Sequence, residues 1–196
     1  MRKLGYLGLA VAALLTASGA QAAGDPFIAR FMGAALGKAK TFACFNRVYD
    51  PAHLTAHPEQ NVKTMMLLAV VDPDSPDEID LRIGVTFRTR NGMLETDGIC
   101  ASPHAEGEPS DATSAHCSVN CDGGAIDVEL KANGSVLLGI PEGARLWKPG
   151  SDDPDANVRG AFGPDDKLFR LDRAALGQCL PLAVDKDEKA SLLRAR

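Results

Sequence analysis

The stretch that decides the fold is Ile79–Cys100, with the sequence IDLRIGVTFRTRNGMLETDGIC. Apolar and polar residues alternate along its first half, which is the period of a β-strand with one buried face. The face expected to be buried carries Leu81, Ile83, Val85 and Phe87. The opposite face carries Arg82, Thr86 and Arg88. The pattern therefore predicts a half-buried strand in an antiparallel sheet.

Asn91-Gly92 follows this strand and predicts a hairpin. Both residues tolerate the positive φ that a two-residue type I′ turn requires. Such a turn would place Arg88 opposite Glu95 on the outer face. It would also place Cys100 on the same face as Ile83.

A second hairpin is predicted over 125–141, where two apolar runs flank Asn133-Gly134. A two-residue loop would mix apolar with charged side chains on each face. One more loop residue pairs Leu130 with Val136, and a slip of one residue turns every side chain to the other face. The apolar side chains that then share one face are Ile126, Val128, Leu130, Val136, Leu138 and Ile140. We therefore predict a type I turn followed by Gly134 in the left-handed position of a bulge.

The other segments predict a mainly β chain with few helices. Strands are expected over 41–50, 61–71, 144–149 and 167–173, although the length of 61–71 also allows a helix. Trp147 would lie in one of these strands and cover the core. A short N-terminal helix is expected over 24–38, capped by Asp25 and ended by Gly37, and a helical turn is expected near 50–58. About eight short strands predict an all-β fold, an antiparallel small barrel or sandwich. We prefer a barrel because closure removes exposed sheet edges.

Residues 1–22 have the pattern of a secretory signal peptide. Arg2 and Lys3 precede an apolar run of 12 residues, and Ala20-Gln21-Ala22 fits the small-x-small cleavage rule. The run is shorter than the roughly 20 residues of a membrane-spanning helix, and we expect no transmembrane span in the mature chain. We expect residues 23–184 to form a single β domain and residues 185–196 a charged C-terminal tail. The predicted location is the periplasm, with secretion as the alternative.

The charge and composition exclude several classes of function. Cleavage would remove Arg2 and Lys3 and take the formal net charge from −5 to −7. Such a surface repels nucleic acid, so we expect no nucleic-acid partner. No Gly-rich phosphate loop and no GxSxG or SxxK motif is present. We therefore predict no catalytic residue and a non-enzymatic role.

The five cysteines are Cys44, Cys100, Cys117, Cys121 and Cys179. Disulfides are the usual state of cysteine in an oxidising compartment, and the odd number leaves at least one thiol outside an intramolecular bridge. We expect Cys100 to bond either Cys117 or Cys121, which would close the polar loop between them. We expect Cys44 to bond Cys179, which would tie the first strand to the end of the domain.

A metal site is the alternative use of the same region. His104, His116, Cys117 and Cys121 are ligand types that zinc or copper accepts. The spacing contains no CxxC pair and matches no zinc module. We therefore expect no cofactor, and we keep zinc or copper as the alternative.

The segment YDPAHLTAHPEQ at 49–60 occurs together with CDGG at 121–124 and FRLDR at 169–173. With these three motifs the chain resembles small exported proteobacterial proteins of uncharacterised function. The resemblance covers most of the mature chain and implies no activity, ligand or catalytic residue. It does imply that Tyr49, His53, His57 and Gln60 form a recurring local unit. The simplest role for that unit is to cap one end of a barrel.

These features predict an exported, disulfide-containing β domain that acts as a binding or inhibitory module for a small molecule or an envelope protein. One alternative is a metal-binding protein or metal-dependent enzyme that uses the His and Cys loops. Another is a structural envelope protein without a ligand. An apolar cavity inside a closed barrel would favour the binding module, and a filled core would favour the structural protein.

Overall fold

The computed structural model describes residues 25–103, 107, 109, 111–120, 123–151 and 161–195. Within them, eight antiparallel strands form a closed barrel in chain order. The strands are β1 (Thr41–Val48), β2 (Val62–Val71), β3 (Glu78–Phe87), β4 (Met93–Ala101), β5 (Ser114–Val119), β6 (Ala125–Leu130), β7 (Val136–Gly139) and β8 (Leu168–Ala174). The predicted all-β antiparallel barrel is confirmed. The predicted signal peptide over 1–22 lies outside the described residues.

Helix α1 (Pro26–Met32) lies at the barrel end where β1 begins. Its first turn is capped by the Asp25 carboxylate, as predicted. The predicted end at Gly37 is wrong, because α1 ends at Gly33, which has a φ of 71°. The guanidinium of Arg173 packs against Gly33 and donates hydrogen bonds to the last carbonyls of the helix. Glycine adopts this left-handed conformation without the strain that a Cβ imposes.

Helix α2 (Pro51–Ala56) confirms the helical turn predicted near 50–58. Asp50 caps it by accepting a hydrogen bond from the His53 backbone N–H at 2.7 Å. The strand alternative for 61–71 is confirmed by β2. Because α2 connects the end of β1 to the start of β2, it lies at the barrel end opposite α1.

The register of the first hairpin differs from the prediction. Glu95 lies opposite Gly84, four residues from the expected Arg88, and the loop spans 88–92. Arg88 is used elsewhere: its Nη1 donates to the carbonyl oxygens of Leu54 and Gln60 at 3.0 and 3.2 Å. An even shift keeps every side chain on its face. Cys100 therefore still lies on the core face of the sheet, as expected.

The register of the second hairpin is confirmed. Leu130 pairs with Val136 and Val128 pairs with Leu138. The Gly134 N–H donates to the Lys131 carbonyl oxygen, and Gly134 has a φ of 78°. This is the type I turn with a left-handed glycine that burial of the apolar face selects.

The barrel interior is occupied by large apolar side chains. The main core cluster combines inward residues of all eight strands with Phe27 and Phe31 of α1. The predicted strand over 144–149 is not formed: Leu146 and Trp147 each make an isolated bridge, and Trp147 pairs with Glu95. Pro149 follows closely and lacks the N–H that a longer ladder needs.

A second apolar cluster lies on the outer wall of β1 and β2. It is covered by a 3₁₀ helix (Leu176–Leu182) and by α3 (Lys186–Arg194). The segment expected as a charged tail thus includes α3, and Leu192 and Glu188 are buried. Within the described part of the chain, no helix is long and apolar enough to cross a membrane.

Candidate functional site

A groove of about 430 Å³ lies on the outer wall of the barrel, between β4 and the 3₁₀ helix. Its floor carries the charged side chains of Arg82, Glu95 and Asp97. One wall contains Trp147, and the other is formed by 181–184 at the end of the 3₁₀ helix. The groove therefore combines a charged floor with largely apolar walls.

Trp147 and Glu95 are adjacent because their backbones exchange two hydrogen bonds. The Glu95 N–H donates to the Trp147 carbonyl oxygen at 2.8 Å, and the reverse bond measures 2.9 Å. Residues paired in this way on antiparallel segments project their side chains to the same side. The indole and the Glu95 carboxylate therefore both face the groove.

Gly84 allows the 3₁₀ helix to approach the barrel wall. A Cβ at this position would lie 2.6 Å from the Met93 Sδ and 3.0 Å from the Leu182 Cδ2. Gly84 pairs with Glu95 across β3 and β4. A glycine inside a strand often marks such a close approach, and here it sets the distance between the floor of the groove and its apolar wall.

Arg82 is already neutralised by two carboxylates. Its Nη2 lies 2.6 Å from the Asp80 Oδ2, and its Nη1 lies 2.5 Å from the Glu188 Oε2. The Glu188 side chain is 4% exposed. Burial works against the charge of Arg82, but these two partners raise its pKa above the ordinary value. The guanidinium is therefore not free to attract an anion.

The two acids on the floor lack comparable partners. Burial raises the pKa of Glu95, and the neighbouring charge of Asp97 raises it further, although the charge of Arg82 opposes the shift. Burial likewise raises the pKa of Asp97, although a hydrogen bond from the Asn120 side chain at 2.6 Å opposes the shift. Among the described residues, none donates a hydrogen bond to the Glu95 carboxylate. A positive charge in the groove would relieve both shifts.

The structure brings together the four residues of the predicted local unit. The rings of Tyr49 and His53 stack with centroids 4.7 Å apart, and those of His53 and His57 stack at 4.4 Å. The Gln60 Nε2 donates to the Val62 carbonyl oxygen at 2.8 Å, which turns its Oε1 toward the His53 Nε2 at 2.9 Å. Because that oxygen can only accept, the His53 Nε2 carries the proton.

A buried carboxylate that the sequence analysis missed holds this end of the barrel. Asp166 is fully buried and accepts hydrogen bonds from the backbone N–H groups of Asn61, Val62 and Gly163. Gly163 packs against the Glu59 carbonyl group so closely that a Cβ would overlap it. The Gly-Pro-Asp-Asp sequence at 163–166 is a turn signal that points to this segment.

The cysteines form the two predicted bridges. Cys44 bonds Cys179, and Cys100 bonds Cys117. Cys121, the alternative partner of Cys100, lies outside the described residues.

The predicted metal ligands do not converge where they are described. Cys117 is bonded to Cys100, so its sulfur is not available as a thiolate. His116 points to the opposite side of β5, is 82% exposed and lies 2.6 Å from the Asp127 Oδ1. His104 and Cys121 lie outside the described residues. Within the described ranges, no group of three or more His, Cys, Asp or Glu side chains is placed to hold a metal ion.

Comparisons with protein-family models, with curated proteins and with solved structures found no match to this chain. The case for a function therefore rests on the geometry of the groove.

No sequence pattern marks the groove, and the reason is physical. Trp147 was expected to cover the core, but it is only partly buried and lines the groove. Its bridge to Glu95 joins residues far apart in sequence, which periodicity does not detect. The glycine at position 84, inside a strongly alternating strand, was the one local signal.

Proposed function

We propose that this protein is an exported, non-enzymatic binding module that works in the periplasm and holds its ligand in the outer groove. The observation that carries the proposal is the Glu95 carboxylate, which is partly buried beside an indole and receives no hydrogen bond from the described residues. Partial burial raises the pKa of this carboxyl, so its charged form is less well stabilised than in water. A cationic ligand in the groove would stabilise the charged carboxylate.

Two disulfides suggest an oxidising compartment outside the cytoplasm, where such bridges persist. The signal-peptide pattern at 1–22 supports the periplasm in particular. N-terminal mass spectrometry of the exported protein should find a first residue at Ala23. A protein that still begins at Met1 would contradict this part of the proposal.

An enzymatic role for the two acids is less well supported. Paired carboxylates with raised pKa values are typical of glycoside hydrolases, which place one acid on each side of the scissile bond. Glu95 and Asp97 project from the same face of one strand, β4. Both acids therefore approach a ligand from the same side, which suits binding better than attack on a bond.

The second candidate is a structural envelope protein, and the filled barrel interior favours it over a module that holds a ligand inside the barrel. The groove distinguishes the two candidates. We would titrate ¹⁵N-labelled protein with a small-molecule extract of periplasm and follow the backbone amide resonances. Ligand binding in the groove should shift the amides of 95–97 and 182–184.

The matched control is Ala183→Trp, which fills the groove from its apolar wall. The shifts should disappear in this variant while its melting temperature stays close to that of the native protein. Shifts that persist in Ala183→Trp, or none at the groove in the native protein, would overturn the binding proposal in favour of the structural one.

A further inference from the structure

We infer that the ligand of the groove carries a protonated amine on an aliphatic chain. This inference rests on the proposed binding function and names the chemistry of its ligand.

The charges of the floor do not balance. Among the described residues, the acids at and beneath it are Asp80, Glu95, Asp97 and Glu188, and the base that acts on them is Arg82. Four carboxylates against one guanidinium leave a formal excess of three negative charges. Asp80 and Glu188 engage the guanidinium directly. Glu95 and Asp97 are therefore the acids left to face a ligand.

The indole of Trp147 provides a second reason for a cation. An ammonium group is attracted to the face of an aromatic ring, and tryptophan gives the strongest attraction. Here the ring stands beside a carboxylate because Trp147 and Glu95 are paired through their backbones. An ammonium group between them would contact a negative charge and an aromatic ring together.

The apolar wall suits the hydrocarbon part of the ligand. Pro181 and Leu182 line the groove, and Val184 beside them is 68% exposed. A volume of about 430 Å³ is within the range of small-molecule sites. A short alkyl chain could lie along this wall while its ammonium group reaches the floor.

Two other ligand classes fit less well. An anion would meet the acidic floor, and Arg82 is already bonded to two carboxylates. A bare divalent cation such as calcium needs six to eight oxygen ligands around it. The described residues supply no converging set of acids for it, and the apolar wall would contribute nothing to its binding.

The test compares 1,5-diaminopentane with 1,5-pentanediol, which has the same chain length but no charge at pH 7. Both are titrated into the exported protein, and binding is followed at the indole N–H resonance of Trp147. Because the chain contains one tryptophan, this resonance needs no assignment. The diamine should bind at least about tenfold more tightly than the diol, and added salt should weaken its binding.

Variants locate the contact. Glu95→Gln should weaken diamine binding about tenfold, a loss of the size expected for a charge-assisted contact. Asp97→Asn should act in the same direction. Glu142→Gln, an exposed acid outside the groove lining, is the matched control and should leave the affinity unchanged. Melting curves of all three variants show that each is folded.

A blocked tripeptide with a central lysine is the second probe, because a lysine side chain offers the same ammonium and alkyl chain. Binding of the diamine alone would indicate a free amine as ligand, and binding of the tripeptide would indicate a peptide source. Failure of both probes to bind, or equal binding of the diol and the diamine, would contradict the inference that the ligand carries a protonated amine. The binding proposal would survive that result if the periplasmic extract still shifted the amides of the groove.

Discussion

At the scale of single residues, Asp166 shows how one buried side chain can join two segments of backbone. Its carboxylate accepts hydrogen bonds from Asn61, Val62 and Gly163, which belong to the start of β2 and to the loop before β8. No periodic pattern marks this role, because the partners are more than 100 residues away in sequence for two of the three bonds. Asp166 lies in an ordinary turn sequence, but because it is buried its hydrogen bonds join β2 to the loop before β8.

We predict that Asp166→Ala lowers the free energy of unfolding by about 3 kcal/mol. The substitution leaves three backbone N–H groups without their acceptor in a buried place, and each such group is costly. Urea denaturation followed by circular dichroism measures the loss. Asp165→Ala is the matched control, because Asp165 is exposed. Equal midpoints for the two variants would show that Asp166 is not a structural anchor.

A second prediction at this scale concerns the pH dependence of stability. The pKa of Glu95 is raised by burial and by Asp97, so the folded state holds the proton more tightly than the unfolded chain does. The destabilising effect of its charge is therefore absent at pH values below the pKa that Glu95 has in the unfolded chain. It develops as the pH rises through the folded pKa. We expect Glu95→Gln to be more stable than the native protein at pH 7.

The gain in stability of Glu95→Gln over the native protein should shrink as the pH falls toward 3, because both proteins are then neutral at position 95. Urea denaturation at pH 3, 5 and 7 measures it, with Glu142→Gln as the control for loss of an exposed acid. A gain in stability that is the same at all three pH values would contradict the assigned cause.

At the scale of elements, the two hairpins show which part of a register the sequence determines. In the second hairpin, burial of six apolar residues selects one loop length, and the structure has it. In the first hairpin, a shift by four residues leaves the buried face unchanged, so the alternating pattern cannot distinguish the two registers. The carbonyl groups near the end of α2, which bind Arg88, are among the partners that favour the observed register.

The disulfides are also best compared as connections between elements. Cys44–Cys179 joins β1 to the 3₁₀ helix across 135 residues, and Cys100–Cys117 joins β4 to β5 across 17. In the chain-entropy model, closing these two loops raises the free energy of unfolding by about 5 and about 3 kcal/mol, respectively. We predict that the double variant Cys44→Ala/Cys179→Ala loses more stability than Cys100→Ala/Cys117→Ala.

Urea denaturation of the two double variants measures this difference, and the native protein is the common reference. All four cysteines are almost fully buried, so the cavities left by alanine are similar in the two variants. The reverse order of stability would show that local packing outweighs loop closure in this barrel.

At the scale of the whole molecule, the barrel is not uniform around its circumference. β3 and β4 pair from Glu78 to Thr86, whereas β1 and β8 pair only from Cys44 to Asn46. This short pairing closes the barrel and joins strands from the two ends of the domain. Short ladders open locally at a smaller free-energy cost than long ones.

We therefore expect amide hydrogen exchange to be slowest in β2, β3 and the paired part of β4, and faster in β8. Exchange of the native protein followed by NMR measures this order directly. Reduction of Cys44–Cys179, which anchors the 3₁₀ helix after β8, should speed exchange in β8 more than in β3. Uniform protection around the barrel would contradict a weak closing seam.

The sequence by itself determined strands β1–β4 and β6–β8, the second hairpin and the pairing of Cys44 with Cys179, because each depends on local periodicity or on the chemistry of an oxidising compartment. Tertiary structure alone decided that the sheet closes, where Trp147 faces and which acids lie beside it. Those features depend on contacts between residues distant in the chain. A sequence pattern records which side of a strand is buried, but it does not record which other segment covers the exposed side.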